Sequence, residues 1–168
     1  MKIIIRDEQL EDIPAITELT RAAFQNADHS SHTEQFIVNA LRKHGQLTIS
    51  LVAIENNQLV GHVAISPVTI SSCETGWYGL GPISVLPAKQ GQGIGTLLMQ
   101  AALDRLQNLG AQGCVVLGDP QYYGRFGFKA FSELYLKDVP LEYFQVIAFN
   151  GSIPHGEVVY HEAFNATQ

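Results

Sequence analysis

The stretch Gln90-Gly91-Gln92-Gly93-Ile94-Gly95-Thr96 decides how the rest of this sequence is interpreted. It follows an apolar segment and precedes a long helical pattern, which predicts a turn from a strand into the N-terminus of a helix. Alternating glycines remove the Cβ atoms that would keep an anion away from the backbone. The first turn of a helix also leaves N–H groups unpaired at the positive end of the helix dipole. The stretch is therefore a candidate phosphate-binding loop.

The glycine spacing differs from that of two common nucleotide-binding loops. A dinucleotide fingerprint needs G-x-G-x-x-G after the first strand of a βαβ unit, and Gly91, Gly93 and Gly95 are spaced differently. A Walker A loop needs Gly-Lys-Ser or Gly-Lys-Thr, and the sequence contains neither tripeptide. A tight turn without a ligand is the alternative, because glycine is common wherever a chain turns sharply.

Outward from this loop, the hydrophobic pattern alternates between the periods of strands and helices. Strands are predicted over residues 2–6, 48–55, 59–66, 80–85, 113–117, 142–149 and 157–161. Four helices are predicted to begin after Asp12, Thr33, Gly93 and Asp119. The order strand, helix, strand across residues 80–117 indicates a parallel pair, so the fold class is predicted to be α/β with a mixed sheet.

Three turns refine this prediction. Asn56-Asn57 is typical of a hairpin between two neighbouring strands. Pro82 cannot donate to a ladder, so we expect a bulge there or a divergence from a neighbouring strand. Gly151-Ser152 is predicted to be the turn between the last two strands.

Composition limits the classes of partner. The chain has 168 residues, 46% of them hydrophobic and 15% charged, which predicts one folded domain over residues 1–168. Its net charge is −6 and it has no basic run, which argues against a nucleic-acid partner and favours a cationic substrate. Its apolar stretches are too short for a signal peptide or a membrane span, so we expect a cytoplasmic protein without membrane contact.

The cysteines and histidines predict no metal site. Cys73 and Cys114 are far apart and lack a C-x-x-C spacing, so both are expected to be buried small hydrophobes. His29-Ser30-Ser31-His32 could bring two imidazoles together, but a third ligand is missing from the pattern.

The motifs on either side of the long helix resemble those of the GNAT superfamily of N-acetyltransferases. Gln90-x-x-Gly93-x-Gly95 resembles its acyl-CoA pyrophosphate loop, and residues 83–87 resemble the strand before that loop. The segment 123–128, a tyrosine four residues before a Gly-Phe pair, is similar to its second motif. Residues 80–82, 118–120 and 156–164 resemble the YhbS-like branch in particular, so the resemblance covers essentially the whole chain.

The resemblance implies a fold and an activity. The fold is the GNAT fold, a mixed central sheet of about six to seven strands flanked by about four helices. The activity is acetyl-CoA-dependent transfer of an acetyl group to a primary amine of a small molecule or protein, by direct attack in a ternary complex without a metal. A catalytically weak acyl-CoA-binding sensor with the same fold is the alternative.

The resemblance also implies site residues. The loop backbone would hold the CoA pyrophosphate, with Gln90 at the loop entrance; its members are Gly91, Gln92, Gly93, Ile94, Gly95 and Thr96. Ile83, Ser84 and Val85 would pair with the pantetheine arm like an added strand, and a backbone N–H near Val85 would polarise the thioester carbonyl.

Tyr123 matches the general acid that protonates the departing CoA thiolate in this superfamily. The alternative is that the Tyr123 ring only packs in the core. Its neighbour Tyr122 misses the four-residue spacing to Gly127 and is expected to pack.

The general base stays unassigned, because residues 79–84 contain no acidic side chain. His32, Glu34 and His62 are candidates, each with an ordinary alternative as a cap, a surface charge or a hydrogen-bonded strand histidine. Ordered water leading to bulk solvent is a further alternative. Superfamily members are often dimers, so the apolar segment 158–160 serves a homodimer contact or completes the sheet.

Overall fold

The computed structural model describes residues 2–28 and 30–168. Within these residues there are eight strands: β1 (Ile3–Asp7), β2 (Ile49–Glu55), β3 (Gln58–Ile70), β4 (Trp77–Val85), β5 (Gly113–Leu117), β6 (Leu134–Leu136), β7 (Phe144–Ala148) and β8 (Gly156–Tyr160). The same part of the chain has four α-helices: α1 (Ile13–Phe24), α2 (Glu34–Lys43), α3 (Ile94–Leu109) and α4 (Pro120–Gly124).

The strands form one mixed sheet in the order β1-β2-β3-β4-β5-β7. Neighbours in this order are antiparallel except for β4 and β5, which are parallel. β8 pairs with the distal end of β3, and β6 adds to β8. The predicted α/β class with a mixed sheet is therefore confirmed, and so are the parallel pair across α3 and the hairpin at Asn56-Asn57.

Three predictions differ from the structure. The three-residue β6 has too short a pattern to be recognised, so the sheet has one strand more than the seven predicted. The last two strands do not pair with each other, because β7 lies beside β5 while β8 lies beside β3 and β6. Cys114 is buried as expected, but Cys73 is exposed in the turn after β3, where its φ of +67° is one that apolar core positions rarely adopt.

β4 separates from β5 part-way along its length. The parallel pairing runs from Trp77↔Gly113 to Gly79↔Val115 and ends there among the described residues. On its other side β4 stays paired with β3, with a bulge of one extra residue around Pro82. The predicted bulge is confirmed. Because the pairing with β5 ends at Gly79, the distal half of β4 has one open edge among the described residues.

The helix α3 packs on one face of the sheet. Its apolar side is fully buried and comprises Leu98, Met99, Ala102 and Leu106. Gly61 of β3 lies directly below the first turns of this helix, where a Cβ would come within 2.9 Å of Leu98. Burying such a side chain contributes roughly 1.5–3 kcal/mol. The N-terminus of α3 is thereby held against β3 and β4.

The opposite face of the sheet carries α1, α2 and a buried polar line. Ile16, Val38 and Val52 form an apolar cluster there. Beside it, His62 is fully buried and its Nε2 lies 2.8 Å from Ser50 Oγ. Burial lowers the pKa of His62 to about 4, because desolvation and the nearby Arg42 outweigh the attraction of Glu8.

Among the residues that the structure describes, no helix is both long enough and apolar enough to cross a bilayer.

The contact between the starts of β4 and β5 can be tested with Gly113→Ala. A Cβ at this position would overlap the Trp77 ring and the Ile147 carbonyl oxygen, both of which are fixed by the sheet. We expect the free energy of unfolding to fall by about 2 kcal/mol or more, measured by urea denaturation. Gly124→Ala is the matched control, because this exposed helical position has open space around it. Equal stability of the two variants would contradict the packing described.

The buried imidazole predicts a pH dependence of stability. His62 has a folded-state pKa of about 4 against an ordinary value of 6.5, so the unfolded chain takes up the proton first on acidification. Stability contributed by the neutral imidazole is complete above about pH 6.5 and is lost as the pH falls toward 4. Between pH 7 and pH 5 the loss is about 2 kcal/mol. His62→Gln should show a correspondingly smaller loss in urea unfolding over this range, and an unchanged pH dependence would refute the shift.

Candidate active site

The segment before α3 presents open backbone donors at its helix terminus. Gly93 is the N-cap residue, and Leu97 N–H makes the first intrahelical bond to its carbonyl oxygen at 3.1 Å. The N–H groups of the preceding turn therefore have no intrahelical acceptor. Gly91 and Gly93 have φ values of +78° and +87°, which L side chains rarely adopt, and the space at both Cβ positions is open. The predicted strand-to-helix turn has the geometry of an anion site.

This segment forms one wall of a cleft of about 410 Å³. Most of the predicted cofactor-binding residues meet there, namely Ile83, Val85, Gln90, Gly91, Gly93, Ile94, Gly95 and Thr96. Gln92 is exposed and its side chain lies outside the lining. Ser84 is buried on the other face of β4, since successive side chains of a strand alternate.

The open edge of β4 forms the opposite wall. Leu86 N–H donates to the Val60 carbonyl oxygen at 2.9 Å, so this residue faces β3. Peptide groups alternate in direction along an antiparallel ladder, and the N–H groups of Val85 and Ile83 therefore point away from β3. Gln90 Nε2 donates to the Val85 carbonyl oxygen at 3.0 Å, which fixes the loop entrance to this edge. The edge offers backbone groups to an extended ligand.

Two cations that were not singled out from the sequence also line the cleft. Arg125 lies with its guanidinium carbon 4.9 Å from the Tyr122 ring centroid and donates to Thr96 Oγ1 at 3.2 Å. Lys89 pairs with the buried carboxylate of Glu55 at 2.7 Å. Both could have been found from the sequence, because Arg125 lies inside the tyrosine motif 123–128 and Lys89 directly precedes the glycine loop. The charge of Lys89 is balanced by Glu55, so Arg125 and the helix terminus are the positive groups that favour an anion in the cleft.

Tyr122 both packs and lines the cleft. Its ring contacts Phe126 and Tyr123 edge to face, as expected for a packing residue. A Cβ on Gly95 would come within 2.7 Å of the Tyr122 hydroxyl, so the third loop glycine makes room for this side chain. Burial raises the pKa of Tyr122, against an opposing effect of Arg125.

Tyr123 packs against Tyr122 and is not among the described residues that line the cleft. Its ring contacts Phe128, and a Cβ on Gly118 would come within 2.6 Å of it. Gln145 Nε2 donates to the Gly118 carbonyl oxygen at 2.9 Å and so holds the backbone against which Tyr123 packs. Burial raises the pKa of Tyr123 to about 12, with smaller contributions from Tyr122 and Asp119. The phenol is therefore protonated at neutral pH.

The three base candidates have different surroundings. His32 is exposed, and both oxygens of Glu34 accept a hydrogen bond from Ser30 Oγ at 2.8 Å. His62 is buried and bonded to Ser50. His29 lies outside the described residues, and within residues 2–28 and 30–168 no group of three His, Cys, Asp or Glu side chains is placed to hold a metal ion.

Comparison with known proteins agrees with this architecture. Residues 13–128 match the acetyltransferase (GNAT) family model. The chain is 38% identical over 172 residues to the uncharacterized N-acetyltransferase YhbS of Escherichia coli (strain K12), and the match covers 97% of this chain and 99% of that protein.

Two solved structures are similar over nearly their whole length. A GNAT family acetyltransferase from Brucella melitensis, crystallised in complex with acetyl-CoA, is 49% identical with a TM-score of 0.87 and covers 97% of this chain and 98% of its own. YhbS from Escherichia coli in complex with CoA is 35% identical with a TM-score of 0.89 and covers 100% of this chain and 94% of its own. The chain belongs to the GNAT family of acetyltransferases.

Proposed function

We propose that this chain is an acetyl-CoA-dependent N-acetyltransferase that acetylates a primary amine of a small molecule or protein. The observation that carries the proposal is the meeting of open helix N–H groups with the open edge of β4 around one cleft. The similar Brucella melitensis and Escherichia coli proteins were crystallised with acetyl-CoA and CoA. Loop glycines that leave room for an anion support the same ligand here.

The pyrophosphate would bind at the N-terminus of α3. The backbone donors between Gly91 and Thr96 supply hydrogen bonds, and the guanidinium of Arg125 supplies positive charge. Gly93 carries no capping side chain that would compete for these donors. The diphosphate therefore replaces the missing cap.

The pantetheine arm would extend along β4. The N–H groups of Ile83 and Val85 point to the open edge, so they are available to an added strand-like ligand, whereas Ser84 faces β3. The Val85 N–H is the proposed donor to the thioester carbonyl oxygen. A fixed donor at this point stabilises the negative charge that develops there when the amine attacks.

Departure of the CoA thiolate needs a proton donor. Tyr123 is the proposed acid, since it is the buried phenol of the short helix and stays protonated up to a pKa of about 12. The pKa of Tyr123 lies above the value of about 8.5 for a thiol. The phenol therefore acts chiefly by donating a hydrogen bond to the leaving sulfur during acetyl transfer. No covalent enzyme intermediate is required.

A sensor that binds acetyl-CoA without turnover is the second candidate. Its support is the absence of an acidic side chain from residues 79–84, the part of β4 that faces the split. The two candidates share the cofactor site and differ only in turnover with an amine. Kinetics therefore distinguishes them.

Charge at the loop provides the binding test. Gly93→Asp places a carboxylate where the pyrophosphate would lie, and Gly93→Asn has the same shape and tolerance of positive φ without the charge. By calorimetric titration we expect acetyl-CoA to bind about 100-fold more weakly, or worse, to the Asp variant than to the Asn variant. Equal affinities would contradict a phosphate site at this loop, and absence of binding to the wild type at millimolar ligand would overturn the proposed function.

The role of Tyr123 is tested by removing its hydroxyl. In a thiol-release assay with a panel of polyamines, aminoglycosides, amino acids and lysine peptides, Tyr123→Phe should lower kcat by about 100-fold or more while acetyl-CoA affinity is kept. Tyr122→Phe is the matched control and should affect KM for acetyl-CoA more than kcat. Loss of kcat in Tyr122→Phe alone would transfer the role to that residue. A wild type that binds acetyl-CoA and turns over none of these amines would support the sensor.

A further inference from the structure

A line of hydrogen-bonded side chains, His62–Ser50–Glu8, runs across the face of the sheet that α1 and α2 cover, and it leads away from β4. Arg42 of α2 donates two hydrogen bonds of 2.8 Å to the Glu8 carboxylate. Ser50 Oγ donates to Glu8 Oε1 at 2.5 Å and lies 2.8 Å from His62 Nε2. The outer end of the line, at Glu8, Arg42 and Ser50, opens on a surface cleft of about 300 Å³. The line connects the sheet interior to solvent.

The directions of the hydrogen bonds along this line fix the tautomer of His62. An ionised carboxylate only accepts hydrogen bonds, so the single Ser50 hydroxyl proton is used on Glu8. Ser50 Oγ must then accept from His62 Nε2–H. A neutral imidazole carries one proton, and Nδ1 is left with a free lone pair. The imidazole is neutral because its burial disfavours the charged form.

The free nitrogen lies near two other buried polar atoms that have no partners among the described residues, one on β3 and one on β4. His62 Nδ1 is buried and has no hydrogen-bond partner among the described residues. The same holds for Ser84 Oγ, directly opposite on β4, and for Ser66 Oγ, opposite Gly79 at the point where β4 and β5 separate. Buried polar atoms of this kind are usually satisfied by water. The three lie on one face of β3 and β4, between His62 and the point where β4 and β5 separate.

We propose that the line His62–Ser50–Glu8 carries away the proton that the acceptor ammonium must lose to become a neutral amine, and that this proton reaches His62 through water held by Ser66 and Ser84. The inference rests on the proposed function and supplies the proton acceptor that β4 lacks. The acceptor ammonium first loses one proton, which passes by water to Nδ1 while the Nε2 proton passes through Ser50 to Glu8 and then to solvent. The neutral amine nitrogen then forms the new bond to the acetyl carbon and the C–S bond breaks. The departing sulfur accepts a hydrogen bond from Tyr123 and takes up the second amine proton, which leaves the thiol and the amide as products.

Charged groups around the line suit this direction of transfer. Glu8 stabilises a positive imidazole through Ser50, while Arg42 opposes it, and these are the charged groups that act on His62. Arg42 also holds Glu8 in place with two bonds and keeps the pKa of that carboxyl low despite its partial burial. A proton that reaches Glu8 is thus released rapidly to the surface cleft. His62 acts as a relay and does not keep the proton.

The test combines a tautomer measurement with kinetics. In the wild type, long-range ¹⁵N–¹H NMR correlation at pH 7 should show Nε2 protonated and Nδ1 bare at His62. His62→Gln keeps a donor to Ser50 but has no basic nitrogen. In the thiol-release assay, with the amine found in the panel, it should lower kcat by about 10- to 100-fold at pH 7 and leave KM for acetyl-CoA within about twofold. The deficit should shrink above the pKa of that amine, because the acceptor then arrives deprotonated.

Two further variants separate a relay from a structural effect. Ser50→Ala, which interrupts the line, should show the same pH-dependent deficit, whereas His155→Asn, at an exposed histidine, should behave like the wild type. A protonated Nδ1, or a His62→Gln variant with the wild-type kcat and pH profile, would overturn the proposal. A loss of kcat in His62→Gln that is equal at all pH values would also overturn the proposal. Failure of the proposed function looks different, because the wild type itself would then release no thiol with any amine.

Discussion

The short parallel contact between β4 and β5 is the constraint on which the rest of the site depends. The two strands share residue pairs only from Trp77↔Gly113 to Gly79↔Val115, and bulky packing around Gly113 fixes where they start. Beyond Gly79 the chain of β4 remains paired with β3 alone. An unpaired strand edge in a sheet interior is costly unless something pairs with it. In this protein the exposed edge ends at the loop before α3, so the same separation forms both walls of the proposed site for an extended ligand with a phosphate group.

The loop performs this role because α3 is anchored. The buried side of the helix packs across Gly61, so the backbone donors at its N-terminus keep a fixed relation to Val85. Positive φ at Gly91 and Gly93 aims the loop backbone into the cleft, and Arg125 reaches across to Thr96 from the short helix α4. The helix dipole, the backbone donors and Arg125 therefore all act on the part of the cleft at the N-terminus of α3. Electrostatic preorganisation of this kind needs no rearrangement when the anion binds.

Local patterns predicted the strand-to-helix turn and the short helix that border the cleft, whereas contacts between distant segments were beyond them. The loop from Gln90 to Thr96 and the tyrosine motif are short and contiguous, and the pairing of β4 with β5 follows from the strand, helix, strand order. By contrast, the position of β8 beside β3 depends on residues about 90 apart in the chain. Nothing in the sequence favoured His62 over His32 or Glu34 as a candidate base. The partners of His62, Ser50 and Glu8, lie at the ends of two other strands, and a local pattern does not show that they meet. Tertiary packing alone shows that one imidazole is buried and aligned.

Amide hydrogen exchange, with and without saturating acetyl-CoA, tests the central claim most directly. The account predicts slower exchange at two separate segments, residues 83–86 on the open edge of β4 and residues 91–97 at the start of α3. It predicts little change in β1 and β2, which lie away from the cleft. Protection confined to other parts of the chain, or bound acetyl-CoA without protection of the α3 terminus, would contradict the assignment of the cofactor site.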